Sequence, residues 1–481
     1  MSTISISVLF DMFVPLWTDM LIYTLVVVVI GFIIYASRHE HLRAPWRQVF
    51  RSRTGIASFL VLVLYIVIAL LDSVHFRMPV ETQSPTGQAS QIYFSVEVTS
   101  VLDLLLKPLP DQNEKTYSAP MATSLYAKET VEFDDGSQQR IFPRLLYGGA
   151  HLQDPQADRA GDVLARTIQG VLTGVAVWVV LFTLLLFFLG KRRKITLAQT
   201  LAGIRSPGET FPWMVVIAVS ALLVIVISVI ASMASQYHLF GTDKVGQDVL
   251  YQTLKSIRTA LAIGTLTTLI MLPFAILFGI LAGYFRGWVD DVIQYLYTTL
   301  NSIPGLLLIA AAVLILQVYI DSHPELFTTD AQRADLRLLF LCIILGITSW
   351  TGLCRLLRGE TMKIREVEYI QAATAFGVRS SRVISRHILP NVMHIVLISV
   401  VLDFSGLVLA EAVLSYVGVG VDPSMHSWGN MINSARLEMA REPMVWWALV
   451  AAFLFMFILV LAANLFADVV RDAFDPRLRK G

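Results

Sequence analysis

A polar segment at residues 366–390 combines residue types and spacing that suit a mechanical contact better than a catalytic site. Its first part is made mostly of good helix formers, and Gly377 suits the end of that helix because glycine readily adopts a left-handed conformation. Ser380 can cap a second short helix that runs to Ile388. We therefore predict two short helices around a glycine, lying across a membrane surface.

The same polar segment is suited to close approach by another protein. Ala372 and Ala373 are small and lie together on the first predicted helix. Pro390 begins the apolar stretch that follows, and a missing N–H is harmless at the start of a helix. The segment therefore predicts a docking surface joined directly to a membrane helix.

Motifs for catalysis are missing from the sequence. It contains no Gly-rich phosphate loop ending in Gly-Lys-Ser/Thr, no His-Glu-x-x-His and no Gly-x-Ser-x-Gly. Cys342 and Cys354 are too few for a disulfide framework or a metal site. We predict no catalytic residue, cofactor or metal. Work against a gradient would then need ATP hydrolysed by another chain, or an ion gradient.

The composition places the chain in a membrane. Hydrophobic residues make up 56% of the 481 residues and charged residues only 15%, against about 25% charged residues in soluble proteins. Stretches that are apolar enough to span about 30 Å of hydrocarbon as helices lie near 17–35, 56–72, 167–189, 212–232, 259–283, 291–319, 337–354, 391–416 and 445–467. The sequence thus predicts an all-α membrane protein with about nine spans, eight to ten remaining open.

The distribution of charge between these stretches predicts the orientation. Basic residues dominate loops 36–55, 190–210 and 355–390 and the C-terminal tail, whereas loop 73–165 has twelve acidic and seven basic residues. Nine spans with the N-terminus outside place every basic stretch in the cytoplasm, as the positive-inside rule requires. The net charge of +1 gives no reason to expect nucleic-acid binding. The C-terminus is predicted to be cytoplasmic.

The spacing within the polar segment resembles the cytoplasmic coupling loop of ABC importer permeases. That signature reads Glu-Ala-Ala, Gly after three residues, and Ile-x-Leu-Pro after nine more, and the residues that match it in register are Ala372, Ala373, Gly377, Leu389 and Pro390. Gln371 replaces the signature Glu, and His387 stands at the Ile position. In the family this loop docks in a groove of the ATPase subunit, so the resemblance implies an ATPase contact by the matched residues together with Glu368 and Gln371.

Three further motifs narrow the resemblance to one subgroup. Residues 241–250, 414–431 and 471–478 are similar to motifs of oligopeptide/dipeptide (nickel) permeases, with Gln247 at a position where Arg is usual. The match covers about 236–481 and resembles the C-type subunit. It implies a bacterial inner-membrane transport subunit that is not an enzyme. The implied partners are a homologous B-type permease, ABC ATPase subunits and an extracytoplasmic substrate-binding protein, with peptides or related small solutes as substrate.

The first half of the chain departs from this subgroup. We expect the following parts: an extra anchor helix and basic cytoplasmic loop at 1–55, the first core helix at 56–72, an extracytoplasmic insertion at 73–165, an additional helix pair at 166–235 and the permease core at 236–481, with its coupling loop at 355–390. In an alternative assignment, 212–232 corresponds to the family's first helix, and the three spans before it are all additional. Alternating stretches at 92–98 and 129–133 predict strands within the insertion, which is either a solvated module or a contact for the binding protein.

Polar residues inside the predicted spans are candidates for the translocation path. Asp403 and Glu411 lie in the eighth span, where an ionised carboxylate is costly unless it faces protein or water. Asn301 lies where the sixth span is interrupted. A purely structural role stays open for each of the three. Gly279 and Gly283 form a Gly-x-x-x-Gly pattern that predicts close helix packing.

A different class of function is an ion-coupled carrier or channel that acts without an ATPase. Such proteins are expected to show inverted repeats and paired charged residues near the midplane of the membrane. Neither feature is evident in this sequence, and a membrane-embedded enzyme lacks a nucleophile and base set.

Overall fold

The protein is an all-α membrane bundle, as the sequence predicts. The computed structural model describes residues 12–81, 92–132, 138–155, 157–193, 211–327 and 329–474. Within these ranges, nine helical stretches are long and apolar enough to cross a membrane, and each overlaps one predicted span. The predicted number of spans is confirmed.

Apart from two short helices in the insertion, five helices precede the family-like half of the chain within the described residues. They are α1 (Trp17–Arg38), α2 (Glu40–Val49), α3 (Arg53–Asp72), α6 (Arg159–Arg193) and α7 (Trp213–Ala234). Helix α2 is short and amphipathic, whereas the other four are apolar spans. Helices α6 and α7 pack mainly on each other, and α7 also contacts α3.

The insertion contains two hairpins and two short helices. These elements are β1 (His75–Glu81), β2 (Ile92–Ser100), α4 (Val101–Leu105), α5 (Pro108–Asp111), β3 (Glu129–Glu132) and β4 (Gln138–Ile141). Strand β1 pairs with β2 and β3 with β4, both antiparallel. Both predicted strands exist. They pair with their own sequence neighbours and not with each other.

The second half forms the core of the bundle. Its helices are α8 (Val249–Phe285), α9 (Gly287–Ser302), α10 (Gly305–Ser322), α11 (Asp330–Ser349), α12 (Thr351–Arg365), α13 (Glu368–Ala375), α14 (Ser380–Val383), α15 (Leu389–Val417), α16 (Trp428–Glu438) and α17 (Trp447–Phe474), with a 3₁₀ turn at Pro324–Leu326 and a π-turn at Ile384–Ile388.

The sixth predicted span at 291–319 is two helices and not one. Helix α9 ends at Ser302 and α10 begins at Gly305. Ile303 is extended, with a φ of −88° and a ψ of 129°, because the ring of Pro304 disfavours helical geometry in the residue before it. Of these two helices, only α10 is long and apolar enough to be one of the nine candidate spans.

Helix α8 is the axis of the core. Its 37 residues extend about 55 Å, more than a membrane span requires. At its N-terminal end it packs with Trp428 and Trp447, and at its C-terminal end with Leu357 and Ile388, all almost fully buried. The insertion lies at the first end and the polar segment at the second. These two parts therefore lie at opposite ends of the bundle.

The predicted close packing at the Gly-x-x-x-Gly pattern is confirmed. A Cβ at Gly279 would lie 2.7 Å from Leu357 Cβ, and one at Gly283 would lie 2.6 Å from Thr361 Cβ. Both neighbours belong to α12. Only glycine therefore allows α8 and α12 to approach this closely.

The insertion packs directly against the bundle. Tyr117 donates a hydrogen bond to Glu438 at 3.0 Å, and Trp447 Nε1 donates to the Thr242 carbonyl at 2.9 Å beside it. Tyr117 and Trp447 belong to the same buried cluster. The insertion therefore shares a hydrophobic cluster with the bundle.

Candidate functional site

The first helix of the polar segment forms as predicted. Helix α13 is anchored by Ile370, which is 1% exposed and packs with Val383 and Ile388. After its last turn Gly377 adopts a φ of +76°, and its amide donates to the Thr374 carbonyl at 3.0 Å. The predicted glycine stop is confirmed, because the left-handed residue lets the chain reverse while the last carbonyls stay bonded.

The prediction that the second short helix is a separate element is wrong. Helix α14, the π-turn and α15 follow one another without a break from Ser380 to Val417. Ser380 does not cap this helix, since Arg379 occupies the N-cap position and no side chain bonds there. The π-turn ends just before Leu389 and Pro390, and such a turn can absorb the hydrogen bond that proline cannot make. The polar segment is thus rigidly continuous with the eighth span.

Side-chain contacts fasten α13 to the bundle. Asn391 Nδ2 donates to the Tyr369 hydroxyl at 3.0 Å and to the His387 carbonyl at 2.6 Å. The His387 and Tyr369 rings meet edge to face at 6.0 Å. His387, at the signature's Ile position, therefore packs against α13.

Gln371 takes part in a second contact. Its Nε2 lies 3.3 Å from Glu366 Oε2, and Glu366 in turn accepts a hydrogen bond from Arg286 at 2.6 Å. A glutamate at position 371 would face Glu366 with like charge, whereas glutamine donates to it. The replacement is therefore consistent with this local arrangement.

The outer face of α13 is exposed and partly apolar. Glu368, Gln371 and Ala372 are exposed, and Ala373 is half-buried. The most exposed large side chain is Phe376, at 88%. Sequence analysis missed Phe376, although an aromatic residue beside a left-handed glycine in a polar segment was an available signal.

The polar segment is joined through α12 to the other helices at the same end of the bundle. Arg358 on α12 forms a two-pronged ion pair with Asp290 on α9, with distances of 2.6 and 2.7 Å. Arg355 stacks over the Tyr297 ring at 4.7 Å. Such paired contacts are geometrically specific. A force applied to α13 can therefore reach α8, α9 and α15 through packed side chains.

The motif at 241–250 forms a turn at the other end of the bundle. Asp248 caps α8 by accepting the amides of Leu250 and Tyr251 at 2.8 and 3.2 Å. Gly246 has a φ of +79°, and a Cβ there would overlap the backbone of Glu114. The insertion therefore packs directly against this turn.

Buried charges on Glu114 and His238 hold the insertion against this turn. His238 Nδ1 lies 2.7 Å from Asp248 Oδ2, and its Nε2 lies 3.4 Å from Glu114 Oε1. Burial disfavours the imidazolium, but the hydrogen bonds and charges of both carboxylates outweigh this and raise the pKa of His238 to about 9. Burial also opposes ionisation of Glu114, but bonds from His238 and three backbone amides lower its pKa.

The candidate path residues are not brought together. Glu411 is 2% exposed, accepts a hydrogen bond from Ser415 at 2.7 Å and lies against Gly429. Asp403 is two turns away on the same helix and half-buried. Asn301 is exposed at the end of α9 and accepts a hydrogen bond from Thr351 at 3.2 Å. Each residue thus has its own environment.

Sequence analysis also missed a buried charge cluster. Arg258 on α8 donates to Asp19 on α1 at 2.6 Å and lies 3.6 Å from Asp335 on α11. Thr18 donates to Asp335, and His75 of β1 lies 2.8 Å from Asp19. The signal was Arg258 itself, because an arginine inside a span calls for an acidic partner.

Comparison with known proteins places the chain in a family. Residues 275–480 match the model of the binding-protein-dependent transport system inner membrane component. The chain is 34% identical to the oligopeptide transport system permease protein OppC of Mycobacterium tuberculosis strain H37Rv over 50% of this chain and 77% of the relative. It is 30% identical to the dipeptide permease DppC of Bacillus subtilis, over 50% of this chain and 70% of the relative. It is 31% identical to the glutathione permease GsiD of Pectobacterium atrosepticum, over 51% of this chain and 74% of the relative.

These relatives and the matched family share one kind of function. They are membrane permease components of importers that use a binding protein, and ATP is hydrolysed in a separate subunit. The nine candidate spans and the resemblance of the C-terminal half agree with this assignment. The chain therefore belongs to the family of binding-protein-dependent transport system inner membrane components and is a transmembrane permease subunit of an ATP-binding-cassette importer.

Proposed function

We propose that this subunit is the C-type permease of a peptide importer in the bacterial inner membrane. It assembles with a homologous B-type permease and two ATPase subunits, contacts an ATPase subunit through the polar segment and receives solute from an extracytoplasmic binding protein. The named substrates of the relatives are an oligopeptide, a dipeptide and glutathione, and all three are peptides. Their shared chemistry supports peptide as the substrate class.

The observation that carries the coupling role is the exposed face of α13. Phe376, which follows the last residue of α13, is 88% exposed beside Gly377, whereas Ile370 within α13 is buried in the bundle. A helix that is fixed by a buried side chain and presents an exposed aromatic ring at its end is suited to insertion in a groove. Closing of the ATPase pair would push this helix, and the continuous helix from Ser380 would carry the movement into the membrane.

Replacing Phe376 tests this role. We expect Phe376→Ala to lower ATP-driven uptake of radiolabelled peptide at least about tenfold in proteoliposomes holding all subunits, and to weaken co-purification of the ATPase, since an anchor residue at an interface contributes about 2 kcal/mol or more. The matched control is Phe188→Ala, which removes a 65% exposed ring from α6. Uptake and co-purification at wild-type levels in Phe376→Ala would contradict the proposal. Uptake without any ATPase would instead favour an ion-coupled carrier.

We also propose that the N-terminus is outside and the C-terminus cytoplasmic. Support comes from the placement of the acidic insertion and the polar segment at opposite ends of α8. Basic loop 36–55 lies at the same end as the polar segment, because Val49 packs against Val470 and Phe474 at the end of α17.

Cysteine labelling in intact cells tests the orientation. The native Cys342 and Cys354 are buried and should not react with a membrane-impermeant maleimide. We expect Thr130→Cys in the insertion to be labelled in intact cells, and Ser381→Cys in the polar segment to be labelled only after lysis. Both positions are exposed. The opposite pattern would invert the topology.

The packing of α3 supports the interpretation that it is the first core helix. Its Tyr65 donates a hydrogen bond to the Phe455 carbonyl at 3.0 Å, and Tyr65 and Ala69 belong to the buried cluster shared with α8 and α17. Helix α7 instead packs mainly on α6 and also contacts α3. We propose that α6 and α7 are the additional pair, that α1 and α2 are an extension, and that the core resumes at 236.

For the translocation path, we propose Asp403 and Asn301 as lining residues. Asp403 is half-buried next to the exposed Leu402, and Asn301 is exposed at the break between α9 and α10. The burial of Glu411 against Gly429 supports the structural role that the sequence left open for it.

A further inference from the structure

A cleft with basic and aromatic walls lies outside the part of the chain that the family model matches. It has a volume of about 490 Å³ and lies between α2 and the start of α7. Its lining residues are Arg43, Trp46, Arg47, Phe50, Arg51 and Phe211. Nothing in the transport mechanism uses these residues.

The frame of the cleft is built into the bundle. Val49 on α2 is fully buried against Val470 and Phe474 of α17. Trp46 meets Phe474 edge to face at 5.6 Å and lies 6.4 Å from Phe50. The aromatic wall therefore has a defined position.

Among the residues that the structure describes, the charges of the cleft have no acidic partner. Arg43, Arg47 and Arg51 follow one another at intervals of four residues, and all three are exposed. Within the described part of the chain, none of them forms an ion pair, and Glu40 is the only acidic residue between 36 and 55. Three guanidinium groups that face one cleft without a carboxylate repel one another until an anion neutralises them.

The position of the cleft identifies the kind of anion. Helix α2 connects the end of one span at Arg38 to the start of the next at Arg53, and Phe211 precedes the span α7. The cleft thus lies where hydrocarbon meets water. Aromatic rings favour this depth, and arginine binds phosphate oxygens in a two-pronged geometry.

We propose that this cleft binds the phosphate headgroup of an anionic phospholipid. The arginines contact the phosphate oxygens, while Trp46, Phe50 and Phe211 contact the glycerol and the first carbons of the acyl chains. Basic pockets between membrane helices are suited to such headgroups. Since α2 packs on the end of α17, a bound lipid stabilises this end of the bundle by mass action.

Binding is measured on the purified full chain in a neutral detergent, so ATPase and transport do not affect the result. Native mass spectrometry and thermal unfolding follow the addition of phosphatidylglycerol, phosphatidylcholine or inorganic phosphate. We expect phosphatidylglycerol to bind and to raise the unfolding temperature, while the other two have little effect. The same protection by inorganic phosphate would identify a soluble phosphate as the ligand and overturn the lipid proposal.

Two triple variants separate a built site from general positive charge. We expect Arg43→Gln/Arg47→Gln/Arg51→Gln to lower the affinity for phosphatidylglycerol at least about tenfold. The matched control, Arg379→Gln/Arg382→Gln/Arg386→Gln, removes three exposed arginines from the polar segment and should bind nearly as wild type. Equal losses in both variants would overturn the proposal.

A single change covers the case in which the first triple variant does not fold. Phe211→Ala leaves all the arginines in place and removes one wall of the cleft. We expect it to weaken phosphatidylglycerol binding several-fold. Unchanged binding in Phe211→Ala, together with unchanged binding in Arg47→Gln, would exclude this cleft as the site.

Discussion

Gly377 shows how a single residue sets the geometry of the docking surface. Its φ of +76° lies in the left-handed region, and no atom lies within 4 Å of where a Cβ would be. A Cβ there would therefore meet no obstacle among the described residues beyond its chain neighbours. The requirement for glycine is therefore conformational, because most residues adopt the left-handed region at a cost of roughly 1–2 kcal/mol.

Two substitutions at Gly377 separate conformation from side-chain size. We expect Gly377→Val to lower ATP-driven uptake about tenfold without affecting membrane insertion, because a β-branched residue disfavours this φ. Gly377→Asn should keep most of the uptake, since asparagine tolerates the left-handed region. The measurement is peptide uptake into proteoliposomes, normalised to inserted protein. Equal activity of the two variants would show that the conformation of residue 377 does not matter for coupling.

At the scale of elements, the insertion and the core are held together by a buried cluster of Glu114, His238 and Asp248, which we call the lock. The Glu114 carboxylate accepts the amides of Leu146, Tyr147 and Gly148 at 2.8 to 3.1 Å and also approaches His238. Two distant parts of the insertion are thereby fixed to the turn that precedes α8. The lock depends on opposite charges on His238 and its two acidic neighbours, Asp248 at 2.7 Å and Glu114 at 3.4 Å.

The lock predicts a pH dependence of stability. The pKa of His238 is raised from 6.5 to about 9, so its contribution is complete below about pH 6.5 and is lost as the pH rises through 9. The pKa of Glu114 is lowered from 4.5, so its contribution is present above that pH and is lost as the pH falls below it. We expect the unfolding temperature in detergent to be highest between about pH 4.5 and 6.5.

One variant tests whether His238 causes the loss of stability at alkaline pH. His238→Gln keeps a hydrogen-bonding side chain but cannot titrate, so the loss of stability between about pH 6.5 and 9 should become smaller. The same alkaline loss in the variant and the wild type would show that other groups cause it.

At the scale of the whole molecule, Arg258 joins the N-terminal extension to the core. Its guanidinium is buried between Asp19 of α1 and Asp335 of α11, and Asp19 also contacts His75 at the start of the insertion. One buried cation therefore connects four parts of the chain. The first helix is attached to the core by this specific contact near its N-terminal end, whereas much of the rest of the helix is exposed.

Removing Arg258 should destabilise the bundle strongly. We expect Arg258→Met to lower the free energy of unfolding by roughly 3–5 kcal/mol, because it leaves Asp19 and Asp335 buried without their cation. Arg258→Lys should lose less, since it keeps the charge but not the planar fork. The measurement is unfolding of the purified chain in mixed detergent. The control is Arg333→Met at an exposed arginine, and a variant at Arg258 as stable as this control would contradict the role.

The sequence by itself determined the spans and the local shape of the polar segment. Lipid cannot satisfy backbone polar groups, so about twenty apolar residues must form a helix wherever they occur. The helix before Gly377 was equally predictable, because a glycine stop is set by neighbouring residues. The continuity from Ser380 into the eighth span was not, because it depends on a π-turn held by packing.

Only the tertiary structure decided how the unusual first half is attached. Arg258 and Asp19 are 239 positions apart, and Glu114 and His238 are 124 apart. No local pattern encodes such pairings, since a buried charge shows that it needs a partner but not which one. The same holds for Val49, whose burial on α17 places three arginines in a cleft at the membrane surface. The physical reason is that burial and charge pairing depend on distances between segments that only the assembled bundle fixes.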